Sequence, residues 1–202
     1  MAEPMRIGIL ALQGDVALHQ ARLAKLSVEA VPVRGADELA ACRGLIIPGG
    51  ESTTFLKLLE AYALGDPLVA FARERPLWGV CAGSILMAAQ VQNPAQHALA
   101  ILPITVRRNA YGRQNESFIA TFPLRLPGQG ALEQEGVFIR APQVVAWQPE
   151  VAVLAEYGGT PVALQYGHHL ATTFHPELAE AETMHRHFLA LCGGERLAAS
   201  SA

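Results

Sequence analysis

Two short stretches hold the residue types that make and break bonds. Gly79-Val80-Cys81-Ala82-Gly83 follows an apolar run from Pro76 and precedes a helix-like pattern. That is the form of a nucleophile elbow, a strand-to-helix turn that displays its central residue, here a thiol. Gly79 and Gly83 suit such a turn because neighbouring backbone crowds it and side chains would block it. At the start of a helix, unpaired amides and the positive end of the dipole favour thiolate over thiol. Cys81 therefore reads as a nucleophile in need of a base. The rival reading is a buried structural thiol, since free cysteine is among the most buried residue types. The glycine frame is what sets Cys81 apart from Cys42 and Cys192, which read as core thiols at helix ends.

His175-Pro176-Glu177 can supply that base. Proline biases the residue before it to extended geometry, and residues two apart in an extended chain face the same side. Glu177 can then reach the imidazole of His175, fix its tautomer and turn the other ring nitrogen toward sulfur. Alone, His-Pro-Glu would read as a surface turn; beside the elbow it reads as the partner of Cys81. The other histidines have weaker claims. Adjacent His168 and His169 point apart on a strand, and His185 and His187 do not share a helix face, so no metal site is expected. His19 and His97 read as surface or loop residues.

These groups need a scaffold, and the chain's rhythm supplies one. Ile7 to Leu10 reads as a buried strand, Val16 to Leu26 as a helix capped by Asp15, and Val28 to Val33 as a second strand. Asp37 is expected to cap a short helical segment that Gly44 stops before the strand Leu45-Ile46-Ile47. This βαβαβ order implies a parallel sheet, whose carboxyl ends are where ligands bind. The loop Pro48-Gly49-Gly50-Glu51-Ser52 then leads into a helix to about Tyr62. Asp66-Pro67 starts another, to about Arg73, before the strand that ends in the elbow. From about Asn93 to Thr160 prolines and glycines punctuate short apolar runs at Ile101 to Val106, Ser117 to Phe122 and Val137 to Ile139. They read as mostly antiparallel strands and loops added to the sheet. Pro161 to Tyr166 and Leu170 to Phe174 are further strands, and about Ala179 to Leu191 is a helix ended by Gly193-Gly194.

Composition excludes several classes. A chain of 202 residues suits one domain, 1–202 with frayed ends at about 1–4 and 197–202, able to bury roughly 70% of its unfolded surface. A net charge of −3 offers no basic field for nucleic acid. Three scattered cysteines argue against a disulfide framework and fit a reducing cytoplasm. The apolar run near the N-terminus is too short and interrupted for a signal peptide or membrane span.

Taken together, Gly79 to Gly83, the Pro-Gly-Gly-Glu-Ser loop and His175-Pro176-Glu177 resemble the class I glutamine amidotransferases. Leu10-Ala11-Leu12-Gln13-Gly14, Arg108-Asn109-Ala110-Tyr111-Gly112-Arg113-Gln114 and Val137-Phe138-Ile139-Arg140-Ala141-Pro142 narrow the resemblance to the glutaminase subunits of pyridoxal 5′-phosphate synthase, from about Met5 to Leu191. The resemblance implies an α/β fold, a three-layer flavodoxin-like sandwich with a mostly parallel central sheet and antiparallel additions. It implies hydrolysis of L-glutamine by a Cys81-His175-Glu177 triad, with Gly50, Glu51, Ser52, Arg108, Ile139 and Arg140 contacting glutamine. Gly50 and Ala82 would provide the oxyanion hole; no cofactor or metal is implied. Ammonia would pass to a (β/α)₈-barrel synthase subunit in a complex of twelve and twelve, and the glutaminase alone would be poorly active. An inward swing of a Gly49-Gly50 amide on docking would account for that. Val80 and Ser84 depart from commoner family residues without removing a catalytic atom. The same triad also serves glutaminases of histidine and purine pathways, and a silent regulatory subunit is the non-enzyme alternative.

Overall fold

The computed structural model describes residues 5–108, 110 and 117–193. Its first part alternates strand and helix: β1 (Arg6–Leu10), α1 (Val16–Lys25), β2 (Glu29–Val33), α2 (Ala36–Ala40), β3 (Gly44–Ile47), α3 (Ser52–Ala61), α4 (Gly65–Ala72), β4 (Leu77–Val80) and α5 (Ala82–Met87). A strand-rich part follows: β5 (Ala88–Gln92), β6 (Leu102–Arg107), β7 (Ser117–Arg125), β8 (Ala131–Ile139), β9 (Gln143–Trp147), β10 (Ala152–Tyr157), β11 (Thr160–Tyr166) and β12 (His169–Thr172). Helix α6 (Thr183–Leu191) comes after it.

Nine strands form one sheet in the order β2-β1-β3-β4-β12-β11-β10-β7-β8. Neighbours from β2 to β12 run parallel, and neighbours from β12 to β8 run antiparallel. The parallel part has the flavodoxin-like order, so the expected α/β core with antiparallel additions is present. The inserted strands divide in two: β7, β8 and β10 extend the main sheet, while β5, β6 and β9 form a small sheet of their own.

Both faces of the parallel strands are covered, which is why β1, β3 and β4 read as near-continuous apolar runs. Ile7, Ile9, Ile46, Trp78 and Val80 face one side and pack on Leu23 of α1 and Phe188 of α6. Leu10, Leu45, Ile47 and Leu77 face the other, against Phe55 of α3, Leu68 of α4, Leu86 of α5 and Ile104 of β6. The sheet thus lies between two layers, and its β-to-loop ends carry the candidate site.

Several local boundaries differ from expectation, each for a physical reason. Gly35, not Asp37, occupies the N-cap of α2, and the Glu38 carboxylate accepts the amides of Arg34 at 2.6 Å and Gly35 at 2.9 Å. Asp66 likewise lies within the first turn of α4. Asp15 holds the N-cap position of α1 but makes no side-chain cap bond. Gly44 opens β3 instead of ending a helix; a Cβ there would lie 2.4 Å from Cys192 Sγ, so the end of α6 requires a small residue. α5 has only six residues and gives way directly to β5. Beyond Thr172 the chain leaves β12: Thr173 N–H still donates to Val162 of β11, but His175 N–H turns to Val137 of β8. α6 begins at Thr183 and not near Ala179. Ahead of it, Arg22 of α1 donates to the carbonyls of Glu177 at 3.1 Å and Glu180 at 3.2 Å, so these carbonyls serve a tertiary contact instead of a helical ladder. The expected frayed ends at 1–4 and 197–202, Gly194, and the motif positions 109 and 111–114 lie outside the described residues.

Candidate active site

The elbow is a strained turn held on every side. Cys81 has φ +48° and ψ −104°, a conformation that costs a non-glycine residue about 1–3 kcal/mol. Its N–H donates to Thr172 at 2.8 Å, and its carbonyl accepts the amides of Ser84 at 3.0 Å and Ile85 at 3.3 Å. The buried Ser84 hydroxyl donates to the same carbonyl at 2.6 Å, so the serine at this position helps to brace the turn. Both glycines are required by close approach. A Cβ on Gly79 would lie 2.6 Å from the Gly83 carbonyl, and one on Gly83 would lie 2.1 Å from the Ile47 oxygen.

His175 reaches Cys81 from the far side of β12. Its N–H donates to Val137 of β8 at 2.8 Å, an isolated bridge that ties the histidine to the hairpin β7–β8. Its Nδ1 lies 2.7 Å from Glu177 Oε1. Cys81 and His175 line the same cleft, and Cys81 and Glu177 are the two groups that act on the imidazole from either end; all three are buried. Burial disfavours a charged ring here, but hydrogen bonds and opposite charge from Cys81 and Glu177 outweigh it, raising His175 from 6.5 to about 10. Cys81 Sγ in addition lies 3.9 Å from the Ile139 carbonyl.

A cleft of about 370 Å³ opens over this line. Gly50, Glu51, Ser52, Cys81, Ala82, Arg108, Ile139, Arg140 and His175, all singled out in the sequence, line it, and Glu177 lies behind the imidazole. Arg108 pairs with Glu51 at 3.1 Å, so a guanidinium and a carboxylate stand together at the rim before any ligand arrives. The Ser52 hydroxyl donates to Gln96 at 3.0 Å. Gly50, with φ +155°, carries the turn between β3 and α3. Asp15, His175 and Glu177 are the described trio whose possible ligand atoms lie within 4.8 Å of one another, but His175 and Glu177 already use Nδ1 and Oε1 on each other.

Four features of the site were not read from the sequence. Gln13 brackets Glu51, donating to its carbonyl at 2.6 Å and accepting its amide at 3.3 Å. Gly14, with φ +88°, fits because a Cβ would lie 2.0 Å from the Gly49 carbonyl. Asp15, expected only as a cap, lines the cleft. His19, expected at the surface, is fully buried and lies 3.6 Å from Glu177. One face of α1 meets α6 and the segment before it, so a histidine on that helix becomes core. His168 and His169, expected to point apart on a strand, have ring centroids 4.3 Å apart because His168 lies in the turn between β11 and β12 and His169 only opens β12. His168 bonds the Ala72 carbonyl and His169 accepts the Leu77 amide.

Comparison with known proteins places this geometry. Residues 9–193 match the model of the SNO glutamine amidotransferase family. A relative from Koribacter versatilis, named pyridoxal 5′-phosphate synthase subunit PdxT, is 49% identical over 92% of this chain and 94% of its own. One of the same name from Pseudothermotoga lettingae is 45% identical over 94% and 96%. A crystal structure of a glutamine amidotransferase superposes with a TM-score of 0.86 at 42% identity, covering 93% of this chain and 99% of that one. With matches this long in both family and fold, the chain belongs to the SNO glutamine amidotransferase family.

Proposed function

We propose that this protein hydrolyses L-glutamine to L-glutamate and ammonia and delivers the ammonia to the synthase subunit of pyridoxal 5′-phosphate synthase. The observation that carries this reading is the buried line Cys81–His175–Glu177 at the floor of a cleft whose rim holds Glu51 paired with Arg108. A free amino acid carries both charges at its α-carbon, and that rim offers one group for each, with Arg140 as a second guanidinium. The names borne by the relatives support the pathway.

The chemistry runs through the side-chain amide of glutamine. His175, held at Nδ1 by Glu177 and raised to about 10, is the base placed to take the thiol proton of Cys81. Sulfur attacks the amide carbon, and the tetrahedral oxyanion takes hydrogen bonds from the Ala82 amide and an amide of the Gly49-Gly50 loop. The ring gives its proton to the departing nitrogen, releasing ammonia and leaving a γ-glutamyl thioester on Cys81. Water, deprotonated by His175, then attacks that thioester; glutamate leaves and the proton returns to the pair. Glu177 holds the ring through both steps. The chain acts as one amidotransferase domain, in the cytoplasm, docked on a barrel-shaped synthase in a complex of twelve and twelve, with no cofactor of its own.

Glutamate release is the test, measured with the protein alone and with the synthase subunit added. Activity is expected to be low alone, strongly stimulated by the partner, and abolished in Cys81→Ala and His175→Asn with partner binding retained. Turnover surviving in either variant would reject the triad. Turnover indifferent to the partner would keep the glutaminase and reject the pathway.

A further inference from the structure

Only one oxygen of the Glu177 carboxylate is used by His175. The other, Oε2, is buried with no hydrogen-bond partner among the described residues, and His19 Nε2 faces it from α1 at 3.6 Å, equally without one there. His19 Nδ1 lies 3.2 Å from His185 Nε2 on α6. Both rings are fully buried, and Trp78 of β4 packs nearly perpendicular to each, at 5.9 Å and 4.9 Å between centroids. Burial holds both neutral: His19 lies well below 6.5, helped by His185 and His175, and His185 falls to about 3, helped by Arg22.

Neutral imidazoles have one N–H each, and the carboxylate decides where it goes. A lone pair on His19 Nε2 would repel Oε2, whereas an N–H there is attracted. With its proton on Nε2, His19 must accept at Nδ1, so His185 donates from its own Nε2. That leaves His185 Nδ1 as a bare acceptor, and this nitrogen is indeed without a partner among the described residues. Every N–H in the line then runs toward Glu177, from His185 through His19 on one side and from His175 on the other.

We propose that His19, oriented by His185, is a positioning residue of the reaction: its Nε2–H closes onto Glu177 Oε2 and locks the carboxylate against His175. Closing from 3.6 Å to ordinary N–H···O length takes a shift of about half an ångström. Because the His19–His185 pair carries no charge, the carboxylate's attraction is left to the His175 ring, while Arg22 holds the Glu177 carbonyl from outside. The other ionisable group at this point is Asp15, on the cleft side. The role of His19 rests on the Cys-His-Glu reading of the site, but the contact itself is tested independently of it.

The first test needs no variant. Long-range proton–nitrogen NMR of the ¹⁵N-labelled chain should show His19 and His185 neutral and protonated at Nε2 from pH 6 to 9. A proton on His19 Nδ1, or a charged His19, would overturn the proposal. The second is kinetic, with the synthase subunit present. His19→Leu is expected to lower kcat roughly 10- to 100-fold with KM within about twofold, and to move the limb governed by His175 down by about one pH unit. His19→Gln, whose amide nitrogen reaches the Nε2 position, should recover most of both losses. A folded His19→Leu with unchanged kcat and pH profile would overturn the role, and if that variant does not fold, the tautomer spectra decide. Wild-type protein that leaves glutamine intact would defeat the glutaminase reading, and the spectra would still judge the carboxylate contact.

Discussion

Gly49 packs closely against the His175 ring: a Cβ there would lie 2.3 Å from His175 Cε1 and 3.0 Å from Nδ1. Gly49→Ala must therefore push either the loop or the imidazole, and a displacement of about an ångström at reacting atoms can cost on the order of 100-fold in rate. The variant is expected to remain folded, with a thermal midpoint close to wild type and kcat lower by about that factor; a wild-type kcat would show that the ring does not depend on this contact. At this scale the sequence was informative wherever chemistry is framed by its neighbours. Cys81 was legible because Gly79 and Gly83 must be glycine, and Glu177 because Pro176 keeps it on the same side as His175. His19 has no such frame. Its burial comes from α6 and the segment carrying Glu177, far along the chain, and a lone histidine on an amphipathic helix gives no local sign of that.

At the scale of elements, the site hangs on loops at the carboxyl ends of β1, β3, β4 and β12, where an open parallel sheet gathers its ligands. The loop after β1 braces the loop after β3: Gln13 holds both backbone groups of Glu51, and Gly14 admits the Gly49 carbonyl. Gln13→Ala leaves the Glu51 amide and carbonyl without Gln13, but Glu51 is exposed and water can take its place, so the effect on global stability should be small. Glu51 and the Gly50 turn, however, lose their clamp. Catalytic efficiency should fall roughly fivefold, for a net loss of about 1 kcal/mol from the two hydrogen bonds, seen mainly as a higher KM for glutamine. An unchanged KM would mean the loop holds its form unaided. Strand and helix order was readable here because strands buried on both faces read as continuous apolar runs set between helically spaced ones. Boundaries were not: Arg22 takes the carbonyls ahead of α6 from across the fold, and at α2 the Glu38 carboxylate, not Asp37, holds the amides of Arg34 and the N-cap Gly35.

Across the described residues, four histidines, His19, His169, His185 and His187, are buried and shifted toward the neutral form. Burial, with neighbouring charge, lowers His19 well below 6.5, His185 to about 3 and His169 to about 4. Unfolded, each binds a proton near pH 6.5, so below that pH the unfolded chain holds more protons than the native one. Stability contributed by these rings is complete above pH 6.5 and lost as pH falls through the native values. His175 works in the opposite direction: raised to about 10, it contributes fully below 6.5 and loses its contribution as pH rises through 10. Urea midpoints should therefore fall steadily from pH 6.5 down to 4, and the His175 contribution should drain away as pH rises from 6.5 to 10; a flat profile from 6.5 to 5 would mean these rings do not stay neutral. The sheet's order was also only half visible, since periodicity shows that β12 is a strand but not that it enters beside β4. That placement has a consequence for synthesis. Among the described residues β12 is the last strand to leave the ribosome, yet it forms one wall of the elbow, and His175 and Glu177 emerge directly behind it. A nascent chain can present its sulfur long before it can present its base, so synthesis must pass Glu177 before sulfur, imidazole and carboxylate can meet.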